Sequence, residues 1–408
     1  MAGPAPAATG KPGWVFLLTL ASVSFIGPLA VHFFLPVMPS VRDAFGVSEA
    51  LAQLTFSISL FVMAFATLAY GSLSDRHGRR PVLLSGIGLF LAGSVLSALA
   101  DSIGVLLAGR LLQAVGAACS MTLTRAIARD LFGEAGLVRA LSYLTMAYTL
   151  GPMIAPPLGG FLVDAFGWRS VFWTALGLGA AIGAVVLSVL HETRAKPEAG
   201  VRRQGYLADY AMLCRNLRFV AYVCQTGFSS GTFFTLAAGA SFLMRDHLGR
   251  SASEYGLYFL FFPVGYWVGN LVSSRLSGRV ASPTVVLAGS LILTATVAGF
   301  ACAVAFGALT PLTIFIPGFL ATFSQGMALP HSQAGAINAV PALAGTASGV
   351  GVFMQMFCAA IFTQLFGLVA DGTPWPLVAV VVASTAVALA AGVIPFVADR
   401  RDAGAKPM

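Results

Sequence analysis

Long stretches almost free of charge recur from one end of the chain to the other, separated by short polar segments that hold nearly all the ionisable residues. Each stretch is close to the ~20 residues that a helix needs to cross about 30 Å of hydrocarbon. The pattern predicts twelve such helices, over residues 14–38, 50–73, 81–99, 104–128, 139–163, 168–190, 217–244, 253–274, 283–306, 309–337, 342–370 and 374–398. Little chain is left over for a soluble domain. The expected fold class is therefore an all-α polytopic membrane protein of twelve transmembrane helices.

One polar interruption is longer than the others. Residues 191–216 are basic and contain Pro197, Gly200 and Gly205, and they follow the sixth predicted span. They divide the chain into a six-helix bundle over 1–190, a linker over 191–216 and a second six-helix bundle over 217–408. That plan suits a transporter whose halves rock about a site near the membrane midplane. A faint internal echo agrees with duplication: GSLSDRHGRRPVLL from Gly71 has a counterpart in GNLVSSRLSGRVASPTVVL from Gly269, which has lost the acid.

Composition sharpens the picture. Apolar residues make up 58% of the 408 and charged residues 9%, where a soluble domain carries about 25% charge; the mean hydropathy is +0.87. A net charge of +8 would suggest nucleic acid as a partner in a soluble protein, but here the basic residues sort by side. With the N-terminus inside, every Lys and Arg except Arg42, Arg169, Arg245, Arg250 and the intramembrane Arg110 falls on the cytoplasmic side. The positive-inside rule then places both termini in the cytoplasm of a multi-pass protein, with the lipid bilayer as its constant partner and no role for nucleic acid. The first span is too long for a cleaved signal segment and is read as a retained helix.

No paired carboxylates with a nucleophile, phosphate loop or metal-ligand cluster stand out, so the sequence offers no catalytic set, no metal site and no cofactor site, and an enzyme is not expected. The five cysteines, Cys119, Cys214, Cys224, Cys302 and Cys358, have neither metal-ligand spacing nor a disulfide framework and read as packing residues.

Three segments carry chemistry. In the first, Gly71, Asp75, Arg76, Gly78, Arg79 and Arg80 follow the second span. Small residues there let helix ends approach, and an acid at a helix end can pair with a basic residue or with the positive end of a helix from the other half, holding one conformation closed. For Arg79 and Arg80 simple topogenic charge is an equal explanation. In the second, Arg110, Gln113, Ala114 and Ala117 fall at i, i+3, i+4 and i+7 and give one helical face that is both polar and close-packing. An arginine in hydrocarbon must face partners or a water-filled cavity, unless it lies near a span end and snorkels. In the third, Gly151, Pro152, Pro156, Gly159 and Gly160 join helix-bending prolines to glycines that permit close crossing.

The first segment resembles the loop signature of the major facilitator superfamily, GRLLQAVGAA from Gly109 resembles its arginine motif, and LGPMIAPPLGGFL from Leu150 is similar to the antiporter motif of drug:proton antiporters. PLAVHFFLPVMP in the first span, HETR after the sixth and AGTASG from Ala344 look like the Bcr/CflA subgroup of multidrug exporters. The resemblance covers essentially the whole chain. It implies the major facilitator fold and export of bicyclomycin-like, amphenicol-like or other amphipathic compounds from the cell across the inner (plasma) membrane, driven by proton entry.

The subgroup usually carries an aspartate in the first span, four residues before the proline of a leucine-proline pair; here that position is His32, ahead of Leu35 and Pro36. All fifteen acids fall in loops or at span ends. The deep ionisable groups are His32, Arg110 and His331, and a histidine, with an ordinary pKa near ~6.5, is able to exchange a proton where the aspartate is missing. Ser324, His331 and Asn338 recur every seven residues on the tenth span as a polar stripe. Aromatic residues crowd the seventh and eighth spans, beside a polar line of Gln225, Ser229 and Thr232. The expected substrate and proton pathway is a cavity between the halves lined by His32, Arg110, Gln113, Gln225, His331 and Gln355, with the Asp75 segment as its cytoplasmic gate. With no deep acid, neutral or anionic substrates are expected over lipophilic cations. The alternative on the same scaffold is a uniporter or importer of a small organic anion without proton antiport. One chain suffices for the pathway, so a monomer is expected.

Overall fold

The computed structural model describes residues 14–193 and 206–404, which form a bundle of helices. Lys11, the basic residues between 194 and 203, Pro197, Gly200, Gly205 and Lys406 lie outside the described residues.

Among the described residues, eleven helical segments are long and apolar enough to cross a membrane: Trp14–Phe45, Glu49–His77, Arg79–Ala98, Ile103–Gly133, Arg139–Phe166, Arg169–Val189, Ala252–Leu276, Ser282–Ala305, Pro311–Ala339, Pro341–Val369 and Trp375–Asp399. The twelfth is Leu217–Phe242, seventh in chain order. It is dotted with Gln225, Thr226, Ser229, Ser230, Thr232 and Thr235, all of them buried. This helix is wrapped by its neighbours rather than by lipid, so its polar residues face protein. The twelve are called the first to twelfth spans in this order. The face where the first span begins and the twelfth ends is the terminal face, and the opposite one is the far face.

Two boundaries differ from the sequence pattern for clear reasons. The first span runs to Phe45 rather than residue 38, but its regular helix Trp14–His32 breaks into a short 3-10 turn, Leu35–Val37, before Met38–Phe45 resumes. Pro36 and Pro39 lack the N–H that would continue the ladder. The linker over 191–216 contains a helix, Tyr206–Arg215, just before the seventh span. Span entries are capped by Ser48, Ser102, Asn216, Ser251 and Thr310, whose side chains accept from backbone N–H groups that would otherwise be orphaned.

Hydrogen bonds that join the two halves gather toward the far face. Arg42 at the end of the first span binds Asp246 just past the seventh. Gln364 of the eleventh span accepts from the Ser57 hydroxyl at 2.7 Å and donates to the Ala50 carbonyl at 3.2 Å, both in the second span. The Asp164 carboxylate accepts from the backbone N–H groups of Ala252 and Ser253 at the start of the eighth span, at 3.3 and 2.8 Å. The far face is closed by these links.

Candidate functional site

Beneath the far-face links the halves meet along a seam of rings. His32 lies at the last turn before the break in the first span, stacked on Phe234 of the seventh span at 5.9 Å between ring centres and tilted against Phe259 of the eighth at 6.0 Å. Phe56 of the second span also approaches Phe234, and Phe61 and Phe65 meet Phe353 and Phe357 of the eleventh. His32 is 5% exposed and its Nδ1 has no hydrogen-bond partner. Buried polar nitrogens are ordinarily paired, and His331 Nε2 in the second half is likewise without a protein partner.

The other pathway candidates are held elsewhere. Arg110 is buried inside the first half, where its guanidinium donates to the Ala30 carbonyl through both Nη atoms at 3.1 Å, to the Thr55 carbonyl at 3.2 Å and to Gln113 Oε1. Its charged plane also covers the Phe34 ring at 4.3 Å. Gln113 in turn donates to Ser94 at 2.9 Å. Arg110 thus ties the fourth span to the first and second, and Gln113 ties it to the third. Both border a gap of only about 10 Å³ lined by the first, fourth and sixth spans. Sequence spacing identified their common face correctly as polar, but that face is turned into the half rather than toward the seam.

In the second half Gln225 donates to Ser229 at 3.2 Å and to Ser290 at 3.4 Å, and accepts from Ser332 at 2.8 Å, joining the seventh, ninth and tenth spans. His331 Nδ1 lies 3.0 Å from the Ser282 hydroxyl at the start of the ninth span. Gln355 turns its amide back to the Gly351 carbonyl of its own helix. On the tenth-span stripe Ser324 is buried and bonded to Ala321, while Asn338 is exposed. The structure therefore brings Arg110 and Gln113 together, sets Gln225 among serines, and leaves His32 alone of the six on the ring seam described above.

The junction of the second and third spans is organised around Arg79, which pairs with Asp75 in the last turn of the second span at 2.8 Å and with Asp130 at 3.0 Å. The Glu192 carboxylate accepts from the backbone N–H groups of Arg79 and Arg80 at 2.8 and 3.2 Å, where the third span begins. Gly78 adopts a φ of 97° there, and a Cβ at that position would come 2.5 Å from the Glu192 carboxylate. Asp130 and Glu192 were not singled out from the sequence; the acid of the HETR segment was the one available signal.

The glycine- and proline-rich segment of the fifth span makes two crossings. A Cβ on Gly151 would come 2.1 Å from Pro28, and one on Gly159 would come 2.8 Å from the Phe33 carbonyl, both in the first span. On the other side a Cβ on Gly160 would meet the Ala252 carbonyl at 2.2 Å, and one on Gly256 the Pro156 carbonyl at 2.4 Å. Pro152 and Pro156 leave the carbonyls one turn earlier without a helical donor. The fifth span is thus wedged between His32's helix and the opposite half.

Among the described residues, twelve spans in a bundle, with one face latched across the halves and a ring seam beneath, are the architecture of a membrane transporter. The chain belongs to the Major Facilitator Superfamily, whose profile matches residues 20–238. It is 26% identical over 379 residues to the bicyclomycin resistance protein homolog of Haemophilus influenzae, covering 90% of this chain and 92% of that one. It is 28% identical over 394 residues to multidrug resistance protein MdtL of Escherichia coli, covering 96% and 97%. Among solved structures, a bacterial homolog to the human lysosomal transporter Spinster, in an inward-facing and occupied conformation, shares the fold with a TM-score of 0.75 at 18% identity, over 97% of this chain and 98% of that one.

Proposed function

We propose that this protein is a proton-driven exporter of amphipathic, drug-like small molecules in the bacterial inner membrane, with both termini cytoplasmic. The terminal face, which bears most of the basic residues, is the cytoplasmic one under the positive-inside rule. The far face is then periplasmic and closed in this form, so substrate enters from the cytoplasm and leaves after the halves part at Arg42 and Asp246.

The observation that carries the reading is the position of His32. It sits where the first span breaks, between aromatic rings of the opposite half, and the short segment beyond the break bears Arg42. Protonation there adds a cation at the seam, next to ring faces that attract it. Loss of that proton and entry of an apolar substrate alternate naturally in one place. The full-length likeness to proteins named for bicyclomycin and multidrug resistance supports a drug-like substrate.

Inside-out membrane vesicles carrying the protein should accumulate a neutral amphenicol when acidified inside, and a protonophore should abolish the accumulation. Flux that equilibrates the amphenicol at the same rate with and without the gradient would instead support uniport, and no flux would remove amphenicols from the substrate range.

A further inference from the structure

Each half sends one glutamine into the crossing of the second and eleventh spans, and only one of the two is matched. Gln364 of the eleventh span is satisfied at both ends of its amide, accepting from the Ser57 hydroxyl at 2.7 Å and donating to the Ala50 carbonyl at 3.2 Å. Ala50, Gln53 and Ser57 fall at i, i+3 and i+7, so Gln53 shares the face of the second span that Gln364 grips. Its stem packs on Gly367 of the eleventh span, where an added Cβ would come 2.7 Å from Gln53 Cβ and 3.0 Å from its Cγ. Gln53 is fully buried, yet among the described residues neither its Nε2 nor its Oε1 has a hydrogen-bond partner. Thr363, one turn before Gly367, is also fully buried with an unpaired hydroxyl.

This crossing belongs to the far-face closure. Gln53 is four residues in from Glu49, about 6 Å at ~1.5 Å per residue, and one turn before Phe56, whose ring meets Phe234. An amide removed from water and given no partner costs free energy at its donor and at its acceptor. The cost is present only while the halves touch, because Gly367, which covers the stem of Gln53, belongs to the opposite half. When they part, water reaches the amide. The other polar contacts of this closure have the opposite sign: Asp246 with Arg42, Gln364 with Ser57 and Asp164 with Ser253 gain partners on closing and lose them on opening.

We propose that Gln53 is an opening bias built into the far-face closure. Its unpaired amide raises the free energy of the closed form and is relieved by water when the halves part, so it offsets part of what the ion pair and Gln364 contribute. The closed form is thereby kept near balance with the open one, as a gate that must release in every cycle requires. This role deepens the exporter reading and rests on it only for the parting of the halves at the far face; it needs neither substrate nor gradient.

The test is the distance distribution between spin labels at Ala44→Cys and His247→Cys, exposed positions on opposite halves at the far face. It uses the purified full-length protein with the exposed Cys214 and Cys302 changed to serine and Asp246→Asn added to loosen the closure. Gln53→Met keeps an unbranched stem against Gly367 and removes the amide, and it should cut the ratio of long-distance to short-distance populations about tenfold. Gly367→Ala, which presses on the same stem, should raise that ratio. The sign is diagnostic, since a residue that only packs would leave the ratio unchanged or raise it when its shape is altered at a tight crossing. A ratio unchanged or raised by Gln53→Met overturns the proposal, as does the absence of a long-distance population from every variant. If Gln53→Met does not fold, Gln53→Leu serves in its place with the same expected sign. A closure tightened by Gln53→Met in a protein that shows no gradient-driven flux would uphold the role of Gln53 while overturning the exporter reading.

Discussion

Arg42 and Asp246, 204 residues apart in sequence, form a two-pronged ion pair with N–O distances of 2.6 and 2.8 Å that joins the end of the first span to the end of the seventh. Asp43 and Arg245 extend it into a four-residue network on the far face. The bidentate geometry is the strong form of such a contact. Its partial exposure limits its worth to about 1 kcal/mol, the scale of a latch and not of a permanent bond.

Asp246→Asn should accordingly shift the protein about fivefold toward the form open at the far face. Spin labels at Ala44→Cys and His247→Cys, both exposed and on opposite halves, should report a longer distance population in the variant. An unchanged distance distribution would show that the small-residue crossings beneath hold the far face shut without the ion pair.

Those crossings make a sharper prediction. Gly160→Ala places a Cβ 2.2 Å from the Ala252 carbonyl, a backbone atom that cannot swing aside, so closure should cost about 1 to 3 kcal/mol and transport should fall severalfold with normal membrane insertion. Gly88→Ala, where nothing lies within 4 Å, should behave as wild type. Vesicle transport rates at matched expression decide between these outcomes.

Much of this was legible in the sequence and some was not. Hydrophobic runs located the spans, including the polar seventh, because twelve stretches of membrane length leave few ways to arrange the chain. The proline and glycine spacing of the fifth span announced close crossing, and the structure supplies the partners, Pro28 on one side and Ala252 on the other. The face carrying Arg110 and Gln113 was also legible as polar. Its neighbours were not, since i, i+3 spacing fixes which residues share a face and says nothing about what that face meets. Ala30 and Thr55 contribute only backbone carbonyls, which no residue type reveals. Asp246, Asp130 and Glu192 escaped for a related reason: their partners lie many residues away, and an acid at a span end has no periodicity to mark it.

The role of Arg110 as a tie within one half predicts a stability phenotype. Arg110→Gln leaves the Ala30 carbonyl and part of Gln113 without a donor in a buried place, which should lower the stability of the solubilised protein by about 3 kcal/mol. Arg110→Lys should recover little of it, since an ammonium cannot reproduce the planar fork that reaches Ala30 and Thr55 together. Thermal melting in detergent checks both. A lysine variant as stable as wild type would mean that charge alone, and not the fork, holds these helices.

The proposed export turns on His32 exchanging a proton against substrate. The direct measurement is uptake of a neutral amphenicol into proteoliposomes holding the protein inside out, with and without an imposed proton gradient, for wild type, His32→Ala and His32→Asp. Gradient-driven accumulation that is lost in the alanine variant and kept in the aspartate variant is the predicted result, and uptake in wild type that ignores the gradient, or accumulation that survives His32→Ala, would contradict it.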